Sequence, residues 1–503
     1  MKNHLSIILL IGINISLYSQ TNYDKNWVIG YSVLKKGNTV NGAMMVFNKD
    51  SLSIIPIEKT IELGQSTVAL SDKSGKLQFY SNGCSINNNM HKTIEKGDSI
   101  GKGNYEKSYC YPKESGKIPL TQMLFAVPNL VQNKIYYLFN LNLESDIYKN
   151  GQGFPLSPTE LYLNEVDMSD NIGKTTKKLQ VIVKDTFARA MLQGVIHKNK
   201  KDWWIIMPKS QSNCYYVIKI DDKGNITTTK QCEGFKWSDI DVDGQAIFSP
   251  NRKFYVRLGN RNRLNIFDFD NETGKLKSKY TVSIQDTFYT SGVAFSSNSR
   301  YLYAMCGLKL YQYDMKAVDF EKSRILIDVF VKSPKSAYSI PFGQSMLAPD
   351  GKIYIAGAAT HDYLHVIHQP NKKGKDCVFE QYAIPLPCFN AYGLPNMPHF
   401  KDWQEDTTTV TTTEERSEPS NNIKIYPNPA NDFISFEIEN IQFQKGNFFI
   451  FNSFGKNILT HDFSPNNGKY YLDISNFKNG IYFLQLFLDD KMVKKDKIVI
   501  LKQ

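Results

Sequence analysis

Three carboxylates alternate in Asp239-Ile-Asp-Val-Asp-Gly244, the arrangement that a hard divalent cation with roughly six to eight oxygen ligands requires. Asp239, Asp241 and Asp243 are therefore the candidate metal ligands, with calcium as the candidate cofactor. The helix-flanked form of such a loop needs Glu at its twelfth position, where Pro250 stands, and a shorter form wants Asp at the ninth, where Ile247 stands. A polar loop leading into a strand accounts for the same residues. His361, His365 and His368 would share one face of a helix, as metal ligands do. On a strand His365 and His368 face opposite ways, and the surrounding pattern is that of a strand.

A second set is repetitive. Gln65, Gln122, Gln245 and Gln344 each stand just ahead of a short apolar strand, with Gln193 one place out of register. Amides gathered at the mouth of a channel can grip a ligand, and Arg189 and Tyr289 just upstream would add charge and a stacking surface. The same amides can instead hydrogen-bond the neighbouring sheet. Of nucleophile elbows, HExxH pairs, P-loops and strand-borne GxGxxG turns the chain has none. The segment Ser71-Asp-Lys-Ser-Gly-Lys-Leu-Gln-Phe departs from the sialidase Asp box in the place of its Asp and in ending on Phe79. No catalytic residue is assigned.

The elements that must position these residues recur about every 50 residues. Gly194-Val-Ile-His, Gly244-Gln-Ala-Ile-Phe, Gly292-Val-Ala-Phe, Gly343-Gln-Ser-Met-Leu and Gly393-Leu-Pro-Asn begin successive units, and looser units begin at Gly64 and Thr121. Each of the first four runs through a turn into an aromatic strand, such as Asp202-Trp-Trp-Ile-Ile-Met or Arg300-Tyr-Leu-Tyr-Ala-Met. A third strand follows: Cys214 to Ile220, Arg263 to Phe269, Lys309 to Asp314, and Tyr363 to Ile367. Short antiparallel strands at this period make a β-propeller, here with seven blades and an insertion at about Asn142 to Asp185. Little chain remains after Gly393. Strands at Trp27 to Tyr31 and Ala43 to Phe47 are therefore expected to complete the last blade and close the ring.

Both ends of the chain read differently. Met1 to Gln20 carries Lys2, the apolar run Leu5 to Ile13, and small polar residues through Ser19, the pattern of a removable signal peptide. No later run is long enough for a transmembrane helix, and no Cys follows the signal to take a lipid. Residues 404–421 are rich in Thr, Glu and Ser and read as a linker. Residues 422–503 carry about seven short strands with turn signals between them, a small immunoglobulin-like β-sandwich. The formal net charge of +11 is spread over lysine clusters in turn-like sequence, which gives no reason to expect a nucleic-acid partner. Seven cysteines leave at least one unpaired within a molecule. Cys214 with Cys232, or Cys377 with Cys388, could bridge neighbouring strands.

Four motifs occur in order in the last segment: Ile425-Tyr-Pro-Asn-Pro-Ala, Phe451-Asn-Ser-Phe-Gly-Lys, Asn479-Gly-Ile-Tyr-Phe-Leu and Lys497-Ile-Val-Ile. Through Tyr426, Pro427, Asn428, Pro429, Gly455, Gly480 and Tyr482 this segment resembles the type A sorting tail of type IX secretion substrates. The resemblance implies recognition by the type IX machinery, removal of the tail after translocation, and a cargo released or held at the outer surface. Asn26-Trp-Val-Ile-Gly, Ala348-Pro-Asp-Gly-Lys-Ile-Tyr-Ile-Ala and Gly393-Leu-Pro-Asn resemble YVTN-type and WD-repeat-like propellers, a likeness that speaks to fold more than function.

The sequence thus reads as residues 1–20 signal peptide, 21–403 propeller, 404–421 linker and 422–503 sorting sandwich. The expected role is that of an exported, non-catalytic protein binding a glycan or protein ligand. The alternative is a hydrolase or lyase acting on extracellular polymers through acids at the channel mouth. Deleting residues 423–503 is expected to trap the protein inside the cell envelope, read by fractionation; normal surface display of the truncated chain would refute the sorting role.

Overall fold

The glycine repeat has a steric cause. A Cβ on Gly292 would sit 2.1 Å from the carbonyl oxygen of Gly343, and one on Gly393 would sit 2.6 Å from that of Gln65. These contacts are shorter than any side chain tolerates, so the strand entrances of neighbouring units approach one another backbone to backbone. The computed structural model describes residues 22–31, 40–48, 51–104, 106–110, 118–145, 156–236, 243–259, 263–284, 291–332, 340–403, 423–439, 442–452, 457–465, 469–489 and 491–502. The signal peptide and linker read from the sequence lie outside these residues. Two compact units divide the chain, Met1–Asp406 and Thr407–Gln503.

The protein is all-β, built of many small antiparallel sheets. In the first unit, Asn26–Ile29, Gly42–Phe47 and Leu52–Ile57 form one three-stranded sheet, and Val68–Ser71, Leu77–Ser81 and Ile86–Asn88 a second. The third contains Leu124–Pro128, Ile135–Leu141, Glu160–Asp167 and Lys174–Lys184. Four more four-stranded sheets begin at Gln193–Ile196, Gly244–Phe248, Ser291–Phe295 and Phe342–Leu347, each with its strands side by side in chain order. Burial falls from the first strand to the last. Gly244–Phe248 is wholly buried, whereas Lys275–Ser283 at the other edge of its sheet is mostly exposed or half-buried.

Neighbouring sheets share apolar clusters. Trp204, Tyr215, Phe248 and Phe269 join the fourth to the fifth, Val256, Ile266, Phe295 and Leu302 the fifth to the sixth, and Tyr303, Ile327, Phe342 and Ile355 the sixth to the seventh. Each such fully buried side chain contributes about 1.5–3 kcal/mol. The seventh sheet meets the first: Tyr354 packs its ring against Trp27 at 5.9 Å and Phe47 at 5.5 Å, and Tyr31 N–H donates to Phe389 O at 2.7 Å.

Several expectations need correction. The N-terminal strands make a sheet of their own, and the chain from Gly393 adds no strand to it; the segment touches the second sheet only at a parallel bridge between Thr67 and Pro395. Pro395 and Pro398 remove two backbone donors from a short stretch, which therefore cannot pair as a strand. The expected insertion at Asn142 to Asp185 holds the two outer strands of the third sheet, Glu160–Asp167 and Lys174–Lys184. Cys214 and Cys232 lie opposite each other in register and are disulfide-bonded. Cys377 and Cys388 are separate buried thiols. Most of the chain between them belongs to the strand Phe379–Ala391, which carries Cys388 along the sheet away from Cys377. A second disulfide, Cys84–Cys110, was not read from the sequence.

Asn396 sits where the sheets converge. Its Oδ1 accepts from Gln122 Nε2 at 3.2 Å and Gln193 Nε2 at 3.1 Å, and its Nδ2 donates to Leu124 O at 2.7 Å and Leu192 O at 2.9 Å.

In the second unit, Ile423–Tyr426, Phe433–Ile438 and Lys469–Asp473 form a three-stranded sheet. Asn457–Phe463, Gly446–Asn452, Gly480–Leu488 and Lys491–Ile500 form a four-stranded one in that spatial order. Ile434, Phe436, Phe448, Ile450, Leu484, Leu486 and Ile498 share one core. The motif residue Asn428 clips onto the last strand, donating to Lys497 O at 2.6 Å and accepting from Val499 N–H at 2.9 Å. Tyr426-Pro427 and Asn428-Pro429 are cis peptide bonds. Tyr426 hydroxyl bonds Glu437, Tyr482 hydroxyl donates to Lys478 O at 3.0 Å, and Gly480 opens its strand. Gly455 lies outside the described residues.

Two stability predictions follow from this packing. Asn396→Ala leaves two carbonyls and two amides short of a partner inside the first unit, and is expected to cost about 2–4 kcal/mol in urea unfolding; an unshifted midpoint would show that the segment is dispensable. Burial holds His361 and His399 down to about 4 and His365 to about 3. As pH falls below about 6.5 the unfolded chain takes up these protons first, so stability is lost from there toward pH 4. Asp24, lifted by burial to about 7, works in the opposite sense, because the folded chain then holds the extra proton. The net uptake is about two protons, a slope on the order of 2–3 kcal/mol per pH unit. Unfolding midpoints that stay level between pH 6.5 and 5 would contradict it.

Candidate functional site

The entrances to the first strands gather around one cavity of about 190 Å³, lined by Gln65, Pro119, Leu120, Thr121, Asp243, Gly244, Ser291 and Tyr392. These residues come from five different units of the repeat. Asp243, Ser291 and Tyr392 hold the same place, immediately before the repeat glycines 244, 292 and 393. Thr121 hydroxyl donates to Gly244 O at 2.9 Å, tying two entrances together across the opening.

Asp243 is the charged centre of the cavity. Its Oδ2 lies 3.7 Å from Nη1 of Arg189, while its Oδ1 is shielded from solvent and takes no hydrogen bond among the described residues. Burial raises the carboxyl above its ordinary range, and the Arg189 guanidinium pulls it partly back. Tyr392 is held in the left-handed region at φ +66°, and its phenol is pushed up to about 12 by burial and by Asp243. A non-glycine residue in that region carries strain of about 1–3 kcal/mol, which often marks a working site.

Of the residues expected here, Gln65, Arg189 and Asp243 come together. Asp239, Asp241 and Tyr289 lie outside the described residues. Among the described residues no three His, Cys, Asp or Glu side chains gather as a metal set. The other glutamines stand one layer deeper and are engaged by the chain itself. Gln122 donates to Ala246 O at 2.9 Å and accepts from Ala246 N–H at 2.7 Å. Gln245 donates to Ser345 O at 2.7 Å and accepts from Val293 and Ser345 N–H. Gln344 accepts from Leu394 N–H at 3.4 Å. Beyond this belt the channel keeps a cavity of about 30 Å³, bordered by Leu394 to His399, with room for a water or two.

His361 and His365 are buried on one strand, His365 among Phe330, Phe342, Phe379 and Tyr382 and His361 beside Tyr363. His368 lies just past the strand and pairs with Glu380 at 2.9 Å. His365 Nδ1 accepts from Tyr382 N–H at 3.2 Å, so the ring is held neutral in an aromatic box. Lys59 is a further perturbed group that the sequence did not single out. Its stem lies against Gly30 and Gly42, and burial lowers its amine to about 8. Tyr392 was also missed, although its place before a repeat glycine, shared with Asp243, was a usable signal.

Residues 424–501 match the family described as "Secretion system C-terminal sorting domain". No match is found among curated proteins. Among solved structures the chain is similar to the periplasmic gluconolactonase PpgL of Pseudomonas aeruginosa, at 10% identity over 73% of this chain and 98% of that one, with a TM-score of 0.40. It is similar to a functionally unknown protein from Desulfotomaculum acetoxidans, at 12% identity over 75% and 100%, TM-score 0.40. A third similarity is to PorZ, a surface component of the type IX secretion system of Porphyromonas gingivalis, at 11% identity over 92% and 68%, TM-score 0.29. The sorting domain makes this protein a type IX cargo that engages the secretion machinery and is attached to, or released from, the outer cell surface. Among the described residues no helix is long and apolar enough to cross a membrane.

Proposed function

We propose that the protein is an exported, non-catalytic binding protein whose ligand sits at the strand entrances of a seven-bladed β-propeller. In this reading residues 1–20 are a signal peptide, 21–403 the propeller, 404–421 a linker, and 422–503 an immunoglobulin-like sandwich that serves export. Seven sheets that follow one another in chain order, with the last packed on the first, support the blade count.

The observation that carries the binding role is Asp243, a carboxylate that lines a cavity formed from five repeat units and whose Oδ1 takes no hydrogen bond among the described residues. A buried acceptor left without a donor costs about 1–3 kcal/mol, more when charged, and a ligand donor removes that cost. Arg189 already supplies the balancing charge, so the fitting donor is a neutral hydroxyl rather than a second cation. Leu120, Pro119 and Tyr392 offer apolar surface to a C–H face, and Gln65 an amide. A hydroxyl-rich ligand of about one saccharide unit suits both.

The full chain should therefore bind saccharides on a glycan array. Asp243→Asn is expected to weaken the leading ligand at least ten-fold by calorimetry, about 1.4 kcal/mol, with an unchanged melting temperature. Equal binding by the variant would remove Asp243 from the site, and turnover of the bound sugar would favour the hydrolase alternative.

A further inference from the structure

The same turn follows the first strand of four successive sheets. In each, the fourth residue donates its N–H back to the first: Lys200 to His197 O at 2.9 Å, Arg252 to Ser249 O at 2.8 Å, Ser299 to Ser296 O at 2.9 Å and Gly351 to Ala348 O at 2.9 Å. That fourth residue is left-handed every time, at φ +58°, +63°, +60° and +83°. The repeat therefore sets the backbone, and glycine is the residue that suits it best. The larger side chains at this place differ in where they go. That of Lys200 is 54% exposed, whereas that of Arg252 is 18% exposed and lines the cavity of about 30 Å³ beyond the glutamine belt.

The charge at this cavity has one sign. Among the described residues that line it there is no carboxylate, and its titratable members are Arg252 and His399. Burial and the Arg252 charge hold the His399 imidazole down to about 4, so it is neutral at neutral pH. Arg252 pairs through Nη2 with Asp402, whose side chain is 52% exposed and also takes Lys200 at 3.2 Å. Arg252 Nε is shielded from solvent and has no hydrogen-bond partner among the described residues. A shielded guanidinium N–H calls for an acceptor, and here the chain supplies none. Size and walls then narrow the acceptor. Room for a water or two excludes sulfate, phosphate and organic acids. The apolar walls Ile247, Phe248, Leu394 and Met397 favour an ion that gives up its water at little cost.

We infer that this cavity binds a halide ion, chloride or bromide, which accepts the Nε–H of Arg252 and is walled by Ile247, Phe248, Leu394 and Met397. The ion answers the guanidinium where water is scarce and joins the turn of the fifth sheet to the segment Leu394 to His399, which borders the same cavity. The inference is independent of the saccharide reading, whose cavity shares no residue with this one.

The test is melting of the full chain in chloride, bromide and gluconate at equal ionic strength, followed by tryptophan fluorescence, since all five tryptophans belong to the first unit. Both halides are expected to raise the melting temperature over gluconate by about 2 °C or more, and to do so saturably. Arg252→Gly copies the repeat counterpart Gly351, which suits the turn, and is expected to abolish the difference. Asp402→Asn removes the exposed ion-pair partner and is expected to keep it. Should Arg252→Gly fail to fold, bromide-soaked crystals of the unaltered chain read the site directly, with an anomalous peak expected beside Arg252 Nε. Equal melting in the three salts overturns the proposal, as does a bromide peak found only elsewhere. A halide shift that survives Arg252→Gly also overturns it, by moving the ion to another site. Loss of the shift in Asp402→Asn assigns the effect to screening of the exposed pair and overturns it as well.

Discussion

One side-chain amide, that of Asn396, ties together the places where the first unit would otherwise come apart. Its four hydrogen bonds reach Gln122 and Leu124 at the third sheet and Leu192 and Gln193 at the fourth. Its own N–H donates to Thr67 O at the second at 2.7 Å. Strands that approach closely enough to exclude a Cβ also exclude water, so the polar groups at their entrances need partners from protein. An asparagine on a proline-bounded segment meets that need, because Pro395 and Pro398 keep the segment from pairing as a strand and leave the amide free to reach several sheets.

The same constraint locates the candidate pocket. Within the belt the glutamine amides are used to join sheets, Gln122 to Ala246 and Gln245 to Val293 and Ser345. One layer outward, Ser291 is paired with Cys306 and donates to Leu258 O of the neighbouring sheet, whereas Asp243 stands just ahead of its strand. Its Oδ1 takes no hydrogen bond among the described residues. On the proposed reading, recognition belongs at the entrance because the glutamine amides of the interior are already engaged.

The fold was legible where a residue type answers to a backbone constraint. Glycines at 244, 292, 343 and 393 announced the places where backbone meets backbone at the strand entrances, and the aromatic runs at Trp203 and Tyr301 announced the second strands. Cys214 and Cys232, on either side of one turn, were in reach of each other by strand spacing. Contacts between distant segments were not legible. Nothing local distinguishes Asn396 from a turn asparagine, Lys59 in Ile-Glu-Lys-Thr from a surface lysine, or Cys84 and Cys110 from buried thiols. Gln122 and Gln245 were read as candidate ligand groups because a ring of amides looks alike whether it faces a ligand or a backbone, and hydrogen-bond partners far apart in sequence decide which.

The second unit shows the complementary case, where alternation along a strand assigns two tasks to adjacent residues. In Gly480-Ile-Tyr-Phe-Leu the core takes Leu484, while Ile481 and Phe483 stay outside. A strand buried on one face ordinarily exposes polar residues on the other, and an apolar outer face carries a risk of unwanted edge and face association. The outer strand Lys275–Ser283 of the first unit, with Lys275, Lys277 and Lys279 along it, is built the other way.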